Sequence, residues 1–182
     1  MLLRDTLLSV LASPGAPEAA DDEVSRLFRP VWPEGLPSHA LVLTGIRRSG
    51  KSTLQHQIRR ELGGASVVLN LEDPRLYGLG AEDFATVLSV LDAEHPRASV
   101  YLDEVQEVPD WPRLVRALLD TRRRVCVTGS TASLLGRELG SKLTGRHLSH
   151  EVYPFSYKEF LAFTGQEPGA ASLEDHLRRG GF

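Results

Sequence analysis

The sequence predicts an α/β sandwich built on a parallel five-stranded sheet, and three observations predict it. From His39 onward, short apolar runs alternate with longer stretches of helical periodicity, the pattern of a parallel sheet covered on both faces. The first run leads directly into GIRRSGKST, Gly45 to Thr53, which fits G-x-x-x-x-G-K-[ST], the phosphate-binding loop, and a helix pattern follows it. The third run ends in an acid pair, Asp103–Glu104. Crossovers in such a sheet are right-handed, and the ligand belongs at the carboxyl ends of the strands.

The elements follow in order. MLLRDTLLSVLASPGA resembles a secretory leader at first sight, but Arg4 and Asp5 interrupt the apolar run, and it is too short for a bilayer span. An amphipathic helix ending near Pro14 is expected instead. Residues 13–22 read as a linker, a short helix is expected at Glu23–Phe28, and Pro30, Pro33, Gly35 and Pro37 make a second irregular stretch. ALVLT is the first buried strand. In KSTLQHQIRREL, Leu54, Ile58 and Leu62 recur every fourth residue and Gly63–Gly64 stops the helix. ASVVLNL is the second strand. Ala81–Leu91 is a helix with Phe84, Val87, Leu88 and Leu91 on one face. ASVYLDE is the third strand. DWPRLVRALLD is a helix with Asp110 placed to cap it and Pro112 in its first turn. RVCVTGS is the fourth strand, TASLLGREL a helix, and HLSHEVYPF the fifth strand. SYKEFL opens a further helix with a capping box, Ser156 and Glu159.

Composition excludes several classes. The 182 residues are 41% hydrophobic and 25% charged with a formal net charge of -3, so there is no global basic field of the kind that announces nucleic acid. Cys126, the single cysteine, permits no internal disulfide, which fits a reducing compartment; it reads as a small buried hydrophobe. The six histidines show no metal spacing. A cytoplasmic location is expected.

The candidate site residues divide by chemistry. Gly45 and Gly50 let the backbone turn without a Cβ in the way of phosphate. The amides of Gly45, Ile46, Arg47, Arg48, Ser49 and Gly50, with the positive end of the following helix, supply hydrogen bonds and partial charge. Lys51 is placed to reach the β- and γ-phosphates, Ser52 offers a hydroxyl to Mg²⁺, and Thr53 lies beside the phosphates. Arg47 and Arg48 occupy free positions of the loop. Asp103 suits a hard cation, held through water. Glu104 points to the other side of the strand and is the candidate catalytic base. At the end of the fourth strand Ser130, and second to it Thr128, is placed to sense the γ-phosphate; ordinary helix capping is the alternative. Arg146 precedes the fifth strand and is a candidate for donation to a neighbour's γ-phosphate, with a plain surface arginine as the alternative; Arg137 is a weaker candidate.

Together these residues resemble the AAA+ ATPases. GIRRSGKSTL, YLDEVQEVPDW, VTGSTASLL, LTGR and YPFSYKEFL are more closely similar to a bacterial and archaeal AAA-type ATPase family, over about Leu41 to Phe182. The resemblance implies a P-loop NTPase three-layer sandwich with the sheet in AAA+ order and its additional-strand catalytic glutamate. It also implies ATP as nucleotide, Mg²⁺ as cofactor, and the roles given above to Lys51, Ser52, Asp103 and Glu104. Ser130 and Arg146 are carried over with them.

The expected organisation is an N-terminal extension over 1–36, the ATPase core over 37–164, and the start of a shortened C-terminal region over 165–182. Family members continue through a glycine pair, as in LRRGGF here, into a helical lid, a second sensing arginine and a C-terminal domain. The expected function is Mg-dependent ATP binding and hydrolysis coupled to conformational change in a larger protein or oligomer. The alternative is a slow or inactive nucleotide switch that recruits protein or DNA partners. A homo-oligomer through Arg146 and a protein partner are the expected assemblies. Nucleic acid has weaker support, from Arg59–Arg60 and Arg122–Arg124. A GTPase is disfavoured because N-K-x-D is absent, an ABC-type ATPase because L-S-G-G-Q is absent, and a small-molecule kinase because no arginine-rich lid is evident.

Overall fold

The computed structural model describes residues 4–12, 24–30, 32, 38–130, 143 and 145–181. The chain opens with α1 (Arg4–Ala12) and continues through β1 (Ala40–Thr44), α2 (Lys51–Leu62), β2 (Ser66–Asn70), α3 (Phe84–Glu94), β3 (Ser99–Asp103), α4 (Trp111–Asp120) and β4 (Val125–Gly129). It closes with β5 (His147–Glu151), α5 (Tyr157–Thr164) and α6 (Ala170–Arg179). The predicted helix TASLLGREL and Arg137 lie outside the described residues.

The strands form one five-stranded sheet in the order β2-β3-β4-β1-β5, and every pairing is parallel. The register aligns the strand ends: Asn70 lies opposite Asp103, and Thr44 lies between Gly129 and Glu151. One edge of the sheet therefore collects the phosphate-loop end of β1, the acid pair at the end of β3 and the polar tip of β4.

The period-2 geometry of the strands sends their buried side chains alternately to two cores. Ala40, Val42, Val100, Leu102, Val125 and Val127 join α1, α3 and α4 on one face, with Leu7, Val87, Leu91, Trp111, Leu114 and Leu118 all buried there. Leu41, Leu43, Tyr101 and Cys126 meet Leu54 and Ile58 of α2 on the other. The α1 helix forms where expected, and Leu7 and Val10 belong to the larger core. Burial pushes the Cys126 thiol up to about 12, which removes thiolate reactivity at neutral pH.

Several local expectations change. Val24–Pro30 is not helical; it runs as an irregular strap over α2. Gln57 accepts from Arg26 N at 3.2 Å and donates to Val24 O at 2.9 Å. Backbone groups that a helix would pair internally are thus paired to a side chain instead. The second helix begins one turn late, as a 3₁₀ turn at Ala81–Asp83 that gives way to α3 at Phe84. Asp110 does sit at the N-cap of α4, but in the left-handed region (φ 56°) and without a side-chain capping bond. The fifth strand ends at Glu151, although Val152 N still donates to Thr44 O at 2.7 Å before Pro154 ends the ladder.

Candidate nucleotide site

The loop between β1 and α2 starts at Gly45 (φ 150°), where a Cβ would stand 2.3 Å from Val152 O. No side chain fits, and that is why the loop opens on glycine. It closes at Gly50 (φ 87°), the N-cap of α2, and Ser49 N donates to Ile46 O at 3.2 Å. Ile46, Arg47 and Arg48 face outward, whereas Ser49 is buried. The first turn of α2 directs its unpaired amides into the loop.

Lys51 is only 4% exposed, and its ammonium donates to Ile46 O at 3.0 Å. A buried ammonium with three donors and a single carbonyl as its partner among the described residues fits a site that receives an anion. Ser52 Oγ donates to Asp103 Oδ1 at 3.0 Å, joining the loop helix to the end of β3. The two are hard oxygen donors, as Mg²⁺ requires, and phosphate and water would complete its shell. Among the described residues no group of three or more His, Cys, Asp or Glu is arranged to hold a metal.

Thr128, fully buried in β4, ties the acid pair together. Its hydroxyl donates in a short bond to Asp103 Oδ1 and accepts from Glu104 N at 3.0 Å. Glu104 is held in the left-handed region, φ 55°, uncommon for a residue with a side chain and frequent at functional sites. The chain then folds into a 3₁₀ turn, Val105–Glu107, anchored by buried Val105. That turn brings Gln106 back: its amide donates to Glu104 Oε2 at 2.7 Å and to Ser130 Oγ at 3.0 Å.

The structure therefore brings Lys51, Ser52, Asp103, Glu104 and Ser130 to one edge of the sheet. It does not bring Arg146 there. Arg146 immediately precedes His147, which pairs with Ala40 at the start of β1, so it lies at the opposite edge of the same sheet. Its guanidinium donates to Asp120 at 2.7 Å and to Ser38 O at 3.1 Å.

Three residues escaped the sequence reading. Gln106 is one, and its only signal was its place two residues after the acid pair. Gln55 is another: from α2 it donates to Leu102 O and Cys126 O, at 3.2 and 3.4 Å, fixing the helix under the tips of β3 and β4. The third is Arg26, buried in the strap. It donates to Ser49 O of the loop at 2.8 Å and to Tyr153 O at 2.6 Å, and it pairs with buried Glu159 at 3.0 Å. Nothing in the sequence around Arg26 distinguishes it from a surface arginine.

Burial opposes ionisation of Glu159, but bonds from Leu27 N, Ser156 N and Ser156 Oγ, with the charge of Arg26, outweigh it and hold the carboxyl below the usual range. The capping box expected at Ser156 and Glu159 is present, and the same carboxylate also holds the strap. Among the described residues no helix is long and apolar enough to cross a membrane.

Comparison with known proteins agrees with this geometry. The chain is 32% identical over 129 residues to a protein of Methanocaldococcus jannaschii described as uncharacterized, covering 70% of this chain and 29% of the relative. It is 36% identical over 129 residues to another so described from Haemophilus influenzae, covering 66% of this chain and 32% of the relative. The chain thus spans about a third of the length of these relatives. Residues 37–161 match the family described as AAA domain. With the loop, the acid pair and the β2-β3-β4-β1-β5 sheet in place, the chain belongs to the AAA domain family, whose members bind nucleotide.

Proposed function

We propose that this chain is the Mg-dependent ATP-binding and ATP-hydrolysing core of a larger protein or oligomer, in which turnover drives conformational change. The observation that carries the reading is the Ser52–Asp103 bond at 3.0 Å. It joins the start of α2, at the end of the phosphate loop, to the first residue of the acid pair, which supports a shared site for phosphate and cation.

The division of labour follows from the residues. The loop amides and Lys51 bind the phosphates, and Lys51 leaves Ile46 O to do so. Ser52 and Asp103 would hold Mg²⁺, which would supply charge neutralisation to the bound phosphates. Glu104 takes a proton from the attacking water. Thr128 already donates to Asp103, whereas Ser130 Oγ accepts from Gln106 and keeps its own O–H for a phosphate oxygen. That difference supports Ser130 as the sensing residue.

Arg146 would act only on a neighbouring copy. A second reading, a slow nucleotide switch, is favoured by one observation: Arg146 is held by Asp120 and must leave that carboxylate before it can serve a neighbour.

Calorimetric titration with ATP tests the binding half of the proposal. The wild type should bind, and more tightly with Mg²⁺ than without; Asp103→Asn should lose the Mg²⁺ dependence. Lys51→Ala should weaken binding roughly 100-fold, the effect of losing charged hydrogen bonds. Equal affinity in wild type and Lys51→Ala would remove the phosphate-site assignment.

A further inference from the structure

The amide of Gln106 bridges two groups that the proposed chemistry uses separately. Its nitrogen donates to Glu104 Oε2 at 2.7 Å and to Ser130 Oγ at 3.0 Å. Its oxygen accepts from Ser130 N at 3.3 Å. Three hydrogen bonds of one side chain thus connect the tip of β3 to the tip of β4. The arrangement depends on the left-handed conformation of Glu104 (φ 55°) and the 3₁₀ turn after it, since an extended continuation of β3 would carry Gln106 away from both. Among the described residues Gln106 is the side chain that holds the Glu104 carboxylate.

We propose that Gln106 is a positioning residue that sets the general base and the γ-phosphate sensor together. This rests on the ATPase reading. The bond to Oε2 fixes the rotation of the Glu104 carboxyl and leaves Oε1 for the attacking water. The bond to Ser130 Oγ uses an acceptor lone pair of the hydroxyl and leaves its O–H for a phosphate oxygen. An amide suits this place because it is neutral and can donate twice. A carboxylate there would repel Glu104, and an ammonium would take over its charge. Gln106 itself gives no proton and touches no reacting atom.

Kinetics of the protein with Mg-ATP test this, using Gln106→Ala and the length-preserving Gln106→Met beside Glu104→Gln. The bond fixes geometry, and a misplacement near 1 Å lowers rate on the order of 10- to 100-fold. Both Gln106 variants should therefore lose about that factor in kcat, with KM for ATP within about 2-fold of wild type. A loss confined to KM, an unchanged kcat, or a kcat above wild type would overturn the proposal, the last because the bond would then restrain Glu104.

A readout independent of turnover is the side-chain amide resonance of Gln106 in nucleotide-free, ¹⁵N-glutamine-labelled protein. It should move in both Glu104→Gln and Ser130→Ala, and no movement in either contradicts the bridge. The two readings fail differently. Normal turnover in Glu104→Gln sinks the hydrolysis assignment and this inference with it. A dead Glu104→Gln beside a wild-type Gln106→Met sinks this inference alone.

Discussion

Thr128 shows how one small side chain can organise a site. It is fully buried, and its hydroxyl satisfies Asp103 and the backbone N–H of Glu104 at once. Thr128→Val keeps the shape and removes both bonds, leaving the half-buried Glu104 amide without its partner. It should destabilise the fold by about 1–3 kcal/mol in urea unfolding. Turnover should fall as well, because Glu104 loses the bond that holds its left-handed backbone in place. Unchanged stability would mean the hydroxyl contributes little. Gln106 and Arg26 belong to the same scale, and both were illegible in the sequence for the same physical reason. A glutamine or arginine acquires a role through the direction of its side chain, and composition carries no direction. That Lys51, Ser52, Asp103 and Glu104 come together was legible, because the loop after β1 and the end of β3 fall at the same edge of a parallel sheet.

Among the elements, the strap over Val24–Pro30 connects the phosphate loop to α5. Arg26 reaches the loop carbonyl of Ser49 while paired with Glu159, whose other bonds cap α5. Both side chains are about 95% buried, and removing one partner strands the other charge. Arg26→Ala should cost about 3–5 kcal/mol in chemical denaturation; a loss under about 1 kcal/mol would show that water screens the pair.

The pH dependence follows from the depressed Glu159 carboxyl. Its contribution is fully present above the unfolded value, near 4.5, and is lost as pH falls through the lower folded value. Stability should therefore decline below about pH 4.5, and Glu159→Gln should flatten that part of the curve. The same strap explains a misreading. Glu23–Phe28 has the local pattern of a short helix, but Gln57 offers the backbone a partner 31 residues away. By contrast, α2 was legible to the residue, because Leu54 and Ile58 repeat on one face and Gly63 (φ 59°) ends it with a bond to Arg59 O.

At the scale of the whole molecule, parallel register decides which residues can cooperate. The β2-β3-β4-β1-β5 order sets β4 between β3 and β1, so three adjacent strand ends meet at one edge. The alternation of strands and helices made that edge foreseeable. The placement of Arg146 at the other edge was not, since it depends on where β5 begins against Ala40. If Arg146 serves a neighbouring copy, Arg146→Ala should leave ATP binding intact and lower turnover only under conditions where light scattering shows assembly. An arginine supplied in trans is worth about 1000-fold or more; equal turnover of the assembled variant and wild type would reduce Arg146 to its ion pair with Asp120. In the proposed function, Glu104 is the residue that turns a nucleotide-binding core into an ATPase. Its most direct test is Mg-ATP turnover of wild type and Glu104→Gln, with ATP affinity measured on the same samples. Affinities should agree within about 3-fold, and turnover should fall by about 100-fold or more in the variant. Equal turnover in the two proteins would contradict it.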